Sequence, residues 1–254
     1  MAVRNPVIFL PGIIMPAKDR YAALINELGP DVTAVTKDLE VYRLPDPPSD
    51  YSIETEIAGI SRTVDELGFD RFHLYGHSAG GAVSIAFAAA HPERLLSLAL
   101  DEPAMDFTPE DHADPRWADL AKIANMPVPA RMVAFLRDQL KPGVEAPPPA
   151  PGPPSPWMAR RPAGVVAFIS SARRHVISER QLRAFHQPVY YSYGTLSASH
   201  WERRSRRLER LFPDFTSELY VGLHHLNTSH TAEPRRVASA LRSLWARADS
   251  KASG

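Results

Sequence analysis

The sequence predicts an α/β fold: a mostly parallel sheet covered by helices on both faces, with a helical insertion. Three observations predict it. Short apolar runs flanked by turn residues recur at 7–10, 32–37, 71–75, 95–100, 189–194 and 218–221, each the length of a strand. Amphipathic segments with apolar residues at helical spacing stand between most of them. Strands that alternate with helices build parallel sheets buried on both faces, so their strands read as continuous apolar runs. That rhythm then fails from Asp106 to about Gln187, where helical patches occur without a convincing strand.

Taken in order, Val7 to Leu10 reads as a buried strand, and Pro11-Gly12-Ile13-Ile14 turns sharply after it. Tyr21, Leu24, Ile25 and Leu28 then share one helical face, with Gly29 as the stop. Val32 to Lys37 is a second strand. Ser52 is a good helix cap, followed by Ile53, Ile57, Ile60, Val64 and Leu67 at helical spacing until Gly68. Arg71 to Tyr75 is a strand, a small-residue helix follows from Ala82 to Ala90, and His91-Pro92 stops it. Leu95 to Leu100 is the next strand and delivers Asp101-Glu102-Pro103. Residues 1–105 and 188–254 therefore read as one core, and 106–187 as an inserted helical cap with a proline-rich, polyproline-like loop at 142–156. After the insertion come Val189 to Gly194 as strand and turn, an arginine-rich helix from about Trp201 to Leu211, and a last strand at Glu218 to Val221. The final helix carries Val237, Leu241, Leu244 and Trp245 on one face.

Composition narrows the function classes. A 44% hydrophobic content over 254 residues suits a globular protein with a sizeable core. The formal net charge of +0 gives no electrostatic reason to bind nucleic acid or an anionic membrane. The absence of cysteine excludes disulfides, thiolate metal sites and a cysteine nucleophile. The apolar run at the amino terminus is too short for a secretory signal and no stretch approaches membrane-spanning length, so a soluble, cytoplasmic protein is expected. No dinucleotide glycine fingerprint, P-loop or H-E-x-x-H spacing is present, and no cofactor or metal is expected.

The chemistry-bearing stretch is Gly76-His77-Ser78-Ala79-Gly80, a G-x-S-x-G lying between a strand and a helix. In that context the serine sits on a tight, strained turn, the flanking glycines keep side chains out of the crowded space, and the hydroxyl emerges at the carboxyl end of the sheet. With this turn, the strand–helix rhythm and the histidines after the last strand, the chain resembles the α/β-hydrolase family, apart from the insertion. The resemblance implies a serine nucleophile, an acid and a histidine in that chain order, here beginning with Ser78.

The family's oxyanion-hole loop, usually His-Gly-x after the first long strand, corresponds to Pro11-Gly12-Ile13, which implies the N–H groups of Ile13 and Ala79 as oxyanion donors. The phrase running from His225 to Glu233-Pro234 resembles the family's tail. It favours His225 as general base, with His224 and then His230 behind it. His77, before the serine, is given no catalytic role. The family's common acid position, G-x-x-D, reads Gly194-Thr195-Leu196-Ser197 here, and a serine cannot supply the charge that stabilises imidazolium. Glu202 lies inside the next helix. One strand earlier Asp101 and Glu102 stand together, and strand alternation with Pro103 behind favours Glu102 as the acid. A loop acid capping the start of the insertion is the plainer alternative.

Phe107, Trp117, Met126, Met132, Phe135, Trp157, Met158 and Phe168 are expected mainly in the insertion's own core, with a few facing Ser78 as an apolar pocket. Arg203, Arg204, Arg206, Arg207 and Arg210 read as a solvated helix face rather than a phosphate site. The expected activity is hydrolysis of a carboxylic ester or lactone, and the expected partner is a small molecule with an apolar acyl or ring group. Carbon–carbon bond hydrolysis, cofactor-free peroxidation and a low-turnover ligand-binding receptor are the alternatives, and a homodimer is left open.

Overall fold

The structure, a computed structural model, describes residues 6–148 and 155–252. Six strands form one parallel sheet in the order β2-β1-β3-β4-β5-β6: β1 Val7–Leu10, β2 Ala34–Thr36, β3 Phe72–His77, β4 Leu95–Asp101, β5 Val189–Gly194 and β6 Phe215–Tyr220. The helices alternate with them: α1 Ala17–Leu28, α2 Ile53–Glu66 and α3 Ala79–Ala90 precede β4, and α9 Ser199–Leu211, α10 Ser229–Ala232 and α11 Pro234–Ala252 follow β5. Between β4 and β5 lie α4 Pro109–His112, α5 Arg116–Ala124, α6 Val128–Asp138, α7 Arg161–Ala172 and α8 Glu179–Arg183. Residues 149–154 of the proline-rich run lie outside the described residues.

Alternation along β1 divides the core. Val7 and Phe9 pack with Tyr75, Ala99 and Tyr190 against α1 and α11, while Ile8 and Leu10 face Leu74, Leu98 and Leu100 on the side of α2 and α3. Both faces are therefore dry, as the continuous apolar runs require. Ser52 caps α2 in a capping box with Thr55. Among its described residues the insertion keeps no separate core: Phe107, Trp117, Val165 and Phe168 are buried in the same cluster as the sheet's α2/α3 face, whereas Met126, Met132, Trp157 and Met158 are half-buried. A helical insertion packed this closely gains its apolar burial from the sheet layer beneath it.

The arginine-rich helix departs from its expectation. Arg203, Arg206 and Arg210 of α9 are exposed, but Arg204 and Arg207 are buried and pair with Asp106 and Asp111 at the start of the insertion, Arg207 at 2.5 and 2.9 Å and Arg204 with Asp111 at 2.9 Å. Helical spacing explains it, since positions three apart share the face that meets the sheet, and local acids compensate the buried charge. This network fastens the insertion to α9.

Candidate active site

Parallel register brings the site together. His77 of β3 lies opposite Asp101 of β4, so the next residues, Ser78 and Glu102, leave the sheet side by side at its carboxyl edge. Ser78 holds φ 53°, ψ −118° at the head of α3, a strained conformation that ordinary residues avoid. The flanking glycines make it affordable: a Cβ on Gly80 would come within 2.5 Å of the carbonyl oxygens of Leu10 and Pro11, and one on Gly76 within 2.4 Å of the Gly80 carbonyl. Close approach of β1, β3 and α3 thus depends on both.

The loop after β6 carries His225 over this edge. Ser78 Oγ lies 3.0 Å from His225 Nε2, and His225 Nδ1 lies 2.8 Å from Glu102 Oε2. Glu102 Oε1 accepts the N–H of Gly194 at 2.8 Å. That second donor fixes the tautomer: with one oxygen taken by a peptide N–H, an ionised Glu102 accepts Nδ1–H from His225 and leaves Nε2 free to receive the serine proton. The imidazole is clamped between two rings. Trp201 stacks on it at 4.4 Å and 8°, and His77 at 4.8 Å and 28°. Burial, with Arg20 nearby, lowers the His225 pKa to about 3, so its imidazole is neutral in the neutral range. Burial and the adjacent Asp101 push Glu102 up to about 8, against the Gly194 N–H that opposes the rise.

The remaining candidates take other places. His230 is fully buried and pairs with Asp101 at 2.7 Å, in a cluster with Tyr75 and Ser229 beneath the site. His224 is half-buried and its Nδ1 accepts the N–H of Asn227. Glu202 pairs with Arg206 on the outer side of α9. Ser197, at the position where the family commonly has its acid, is buried in the turn after β5 and close enough to Glu102 to hold its pKa down. No acceptor among the described residues takes the N–H of Ile13 or of Ala79.

A cavity of about 210 Å³ opens on Ser78 and His225, walled by Ile14, Met15, Phe135 and Leu136. A smaller lobe of about 20 Å³, lined by Met105, Leu120, Val165 and Phe168, meets it at Ser78 and Ile13. Of the aromatic and methionine residues sought for an apolar pocket, Phe135 and Phe168 reach it. Among the described residues, no group of three His, Asp or Glu is placed to hold a metal ion, and no helix is long and apolar enough to cross a membrane.

Known proteins agree with this architecture. A family model described as the alpha/beta hydrolase fold matches residues 5–128, the segment that ends just past the serine turn, Glu102 and the first helices of the insertion. The chain has the α/β-hydrolase fold. Over 129 residues the chain is 30% identical to a 2-hydroxy-6-oxo-2,4-heptadienoate hydrolase of Pseudomonas putida, covering 48% of this chain and 46% of that protein. It is 34% identical over 86 residues to a fluoroacetate dehalogenase of a Burkholderia species, covering 32% and 28%. The chain thus spans less than half the length of these curated relatives. Among solved structures it superposes on a thermophilic esterase of Thermogutta terrifontis with a TM-score of 0.72 at 18% identity, covering 96% of this chain and 90% of that one. A carboxylesterase of Bacillus subtilis gives 0.66 at 17%, covering 94% and 83%.

Two site residues carried no sequence signal. Trp201 reads as the first apolar position of a surface helix, and only the fold reveals it as a platform for His225. Arg20 sits among polar residues of α1, and only the cavity places it beside Ser78.

Proposed function

We propose that this protein is a serine hydrolase that cleaves a carboxylic ester or lactone through an acyl-enzyme on Ser78. The observation that carries the reading is the unbroken run from Ser78 Oγ through His225 to Glu102, at 3.0 and 2.8 Å. Ser78 Oγ attacks the carbonyl carbon while its proton passes to His225 Nε2. The N–H groups of Ile13 and Ala79 meet the oxyanion, and ionised Glu102 stabilises the imidazolium. The imidazolium then gives its proton to the departing alkoxide. Water, deprotonated by the same nitrogen, attacks the acyl carbon, and the acid leaves with Ser78 restored. The helices at 106–187 act as a cap: α6 roofs the cavity with Phe135 and Leu136, so their size selects the substrate. The ester and carboxylesterase activities in the names of the structural relatives support this reading at the level of bond class.

The test is chemical. A fluorophosphonate probe is expected to add one phosphonyl group on the Gly76–Gly81 peptide, and short p-nitrophenyl esters are expected to turn over. Ser78→Ala is expected to abolish labelling and to lower turnover by several powers of ten with the fold intact, since loss of such a nucleophile costs about 10⁶-fold elsewhere. Labelling that survives the substitution overturns the reading, and tight ligand binding with negligible turnover would favour a receptor.

A further inference from the structure

Arg20 is a half-buried cation that lacks an acid. Arg204 and Arg207 meet Asp106 and Asp111, and Arg116 meets Asp138 at 2.9 Å. Arg20, in the first turn of α1, has no carboxylate within ion-pair distance among the described residues. Its Nη2 donates to Thr228 Oγ1 at 2.9 Å and to His77 Nε2 at 3.2 Å, and its Nε is buried without an acceptor. Accepting at Nε2 leaves the His77 proton on Nδ1, and that N–H is also buried with no partner. Arg20 Nε and His77 Nδ1 are therefore both short of acceptors. Arg161, a buried guanidinium also without an acid among the described residues, lies against the rings of Tyr42 and Trp157 instead. A cation held partly out of water without an acid leaves room for an anionic partner.

The cavity tells what completes it. Arg20 and His77 both line the space that holds Ser78, and none of the described residues lining it is Asp or Glu. Apart from Ser78, His225 and Gln139 the other walls are apolar, which strengthens any charge contact made inside. A planar guanidinium is shaped to grip a carboxylate. We propose that the substrate is an ester or lactone whose skeleton carries a carboxylate, held at Arg20 while its carbonyl carbon meets Ser78. This rests on the serine-hydrolase reading above and adds the substrate class to it.

The carboxylate can stand on either side of the scissile bond, and two substrate pairs separate these cases. Mono(4-nitrophenyl) glutarate against 4-nitrophenyl butyrate places the charge on the acyl side. The other pair, 4-acetoxybenzoate against phenyl acetate, places it on the leaving side. In at least one pair the wild-type protein is expected to favour the charged ester in kcat/KM by roughly 10- to 100-fold, the range a hydrogen bond to a charged group carries. Arg20→Gln is expected to erase that ratio, chiefly by raising KM for the charged ester, and Arg20→Lys to restore part of it. If Arg20 merely supported the loop around His77 and Thr228, charged and neutral esters would fall together and the ratio would stand. Turnover of the neutral esters through a labelled Ser78, with no charged preference or with a ratio indifferent to Arg20→Gln, overturns the proposal and leaves the hydrolase reading intact. Absence of turnover for all four esters together with absence of Ser78 labelling overturns both.

Discussion

Replacing Glu102 by glutamine changes one atom's chemistry and leaves the shape. In the parent site both carboxylate oxygens accept: Oε1 from the Gly194 N–H and Oε2 from His225 Nδ1, each at 2.8 Å. A glutamine can present only one oxygen. The Gly194 peptide is an obligate donor, so the amide oxygen turns to it and the NH₂ faces His225. Nδ1 must then accept, the imidazole proton moves to Nε2, and the nitrogen 3.0 Å from Ser78 Oγ can no longer take a proton. The opposite amide rotamer sets NH₂ against the Gly194 N–H and strands two donors in a buried site. The charge that stabilises the imidazolium is lost in either case.

The equivalent substitution in serine proteases lowers kcat about 10⁴-fold, and at roughly 1.4 kcal/mol per factor of ten this corresponds to about 5 kcal/mol of transition-state stabilisation. Glu102→Gln is expected to lower kcat on p-nitrophenyl butyrate by that order, with KM within a few-fold and thermal stability largely kept. Initial rates and a melting curve measure both. Ser197→Asp provides a rescue, because Ser197 is buried beside the Glu102 carboxylate: added to Glu102→Gln it is expected to recover part of the rate. A folded Glu102→Gln protein with kcat within tenfold of the parent refutes the tautomer argument, and does so most strongly if Asp101→Asn or Glu202→Gln proves essential instead.

The pH profile follows from the same pair. Protonated Glu102 has to donate to His225 Nδ1, since Gly194 occupies its other side, and that fills Nε2 with the proton. Glu102 is pushed up to about 8 and His225 down to about 3, so the acid limb belongs to the carboxyl: kcat/KM is expected to rise with pH through about 8. Asp101 raises Glu102, so Asp101→Asn is expected to move this limb to lower pH, and a limb that stays put or moves up would contradict the assignment. Gly80→Ala forces a methyl to 2.5 Å from two backbone carbonyls. An overpacking cost of about 1–3 kcal/mol is expected to lower Tm by roughly 2–12 °C for a chain of this size. A loss in kcat is expected with it, because Pro11–Ile13 must shift, and an unchanged Tm would show that the β1 turn yields freely.

The parts legible in the sequence are those that short-range sterics determine. The central strands β1, β3, β4 and β5 announced themselves as apolar runs because both of their faces are dry, and Gly76-x-Ser78-x-Gly80 announced a turn because no other residue fits at either end. His225 could be singled out because its place depends on chain order past the last strand. Boundaries were less legible: β2 is confined to Ala34–Thr36 and β6 begins at Phe215, earlier than its apolar end suggests, because its middle residues are exposed. Arg204 and Arg207 were unreadable for a different reason. Whether an arginine is solvated or buried depends on an acid about a hundred residues away, and Asp106 and Asp111 become neighbours only once the insertion folds back on α9. Arg20 and Trp201 belong to the same class.

The placement of Glu102 against His225 depends on more than strand alternation. Alternation along β4 sends Leu98 and Leu100 to the α2/α3 face and turns Asp101 toward Tyr75 and His230, as a period of two requires. Continued alternation would leave Glu102 simply opposite Asp101. The strand, however, ends at Asp101, and Glu102 takes φ 44°. A positive φ costs a branched or long residue on the order of 1–3 kcal/mol unless its surroundings hold it there. Here the surroundings do so three times: its N–H bonds to the Ser192 carbonyl, Oε1 to Gly194 and Oε2 to His225. The backbone bend aims the carboxylate across the end of β5 to the loop after β6, which the straight strand would miss. Ser78, at φ 53°, is bent on the neighbouring strand. The two strained residues leave adjacent strands at matched register and converge on one imidazole, so local strain at both strand ends positions the chemistry that the parallel sheet by itself would leave apart.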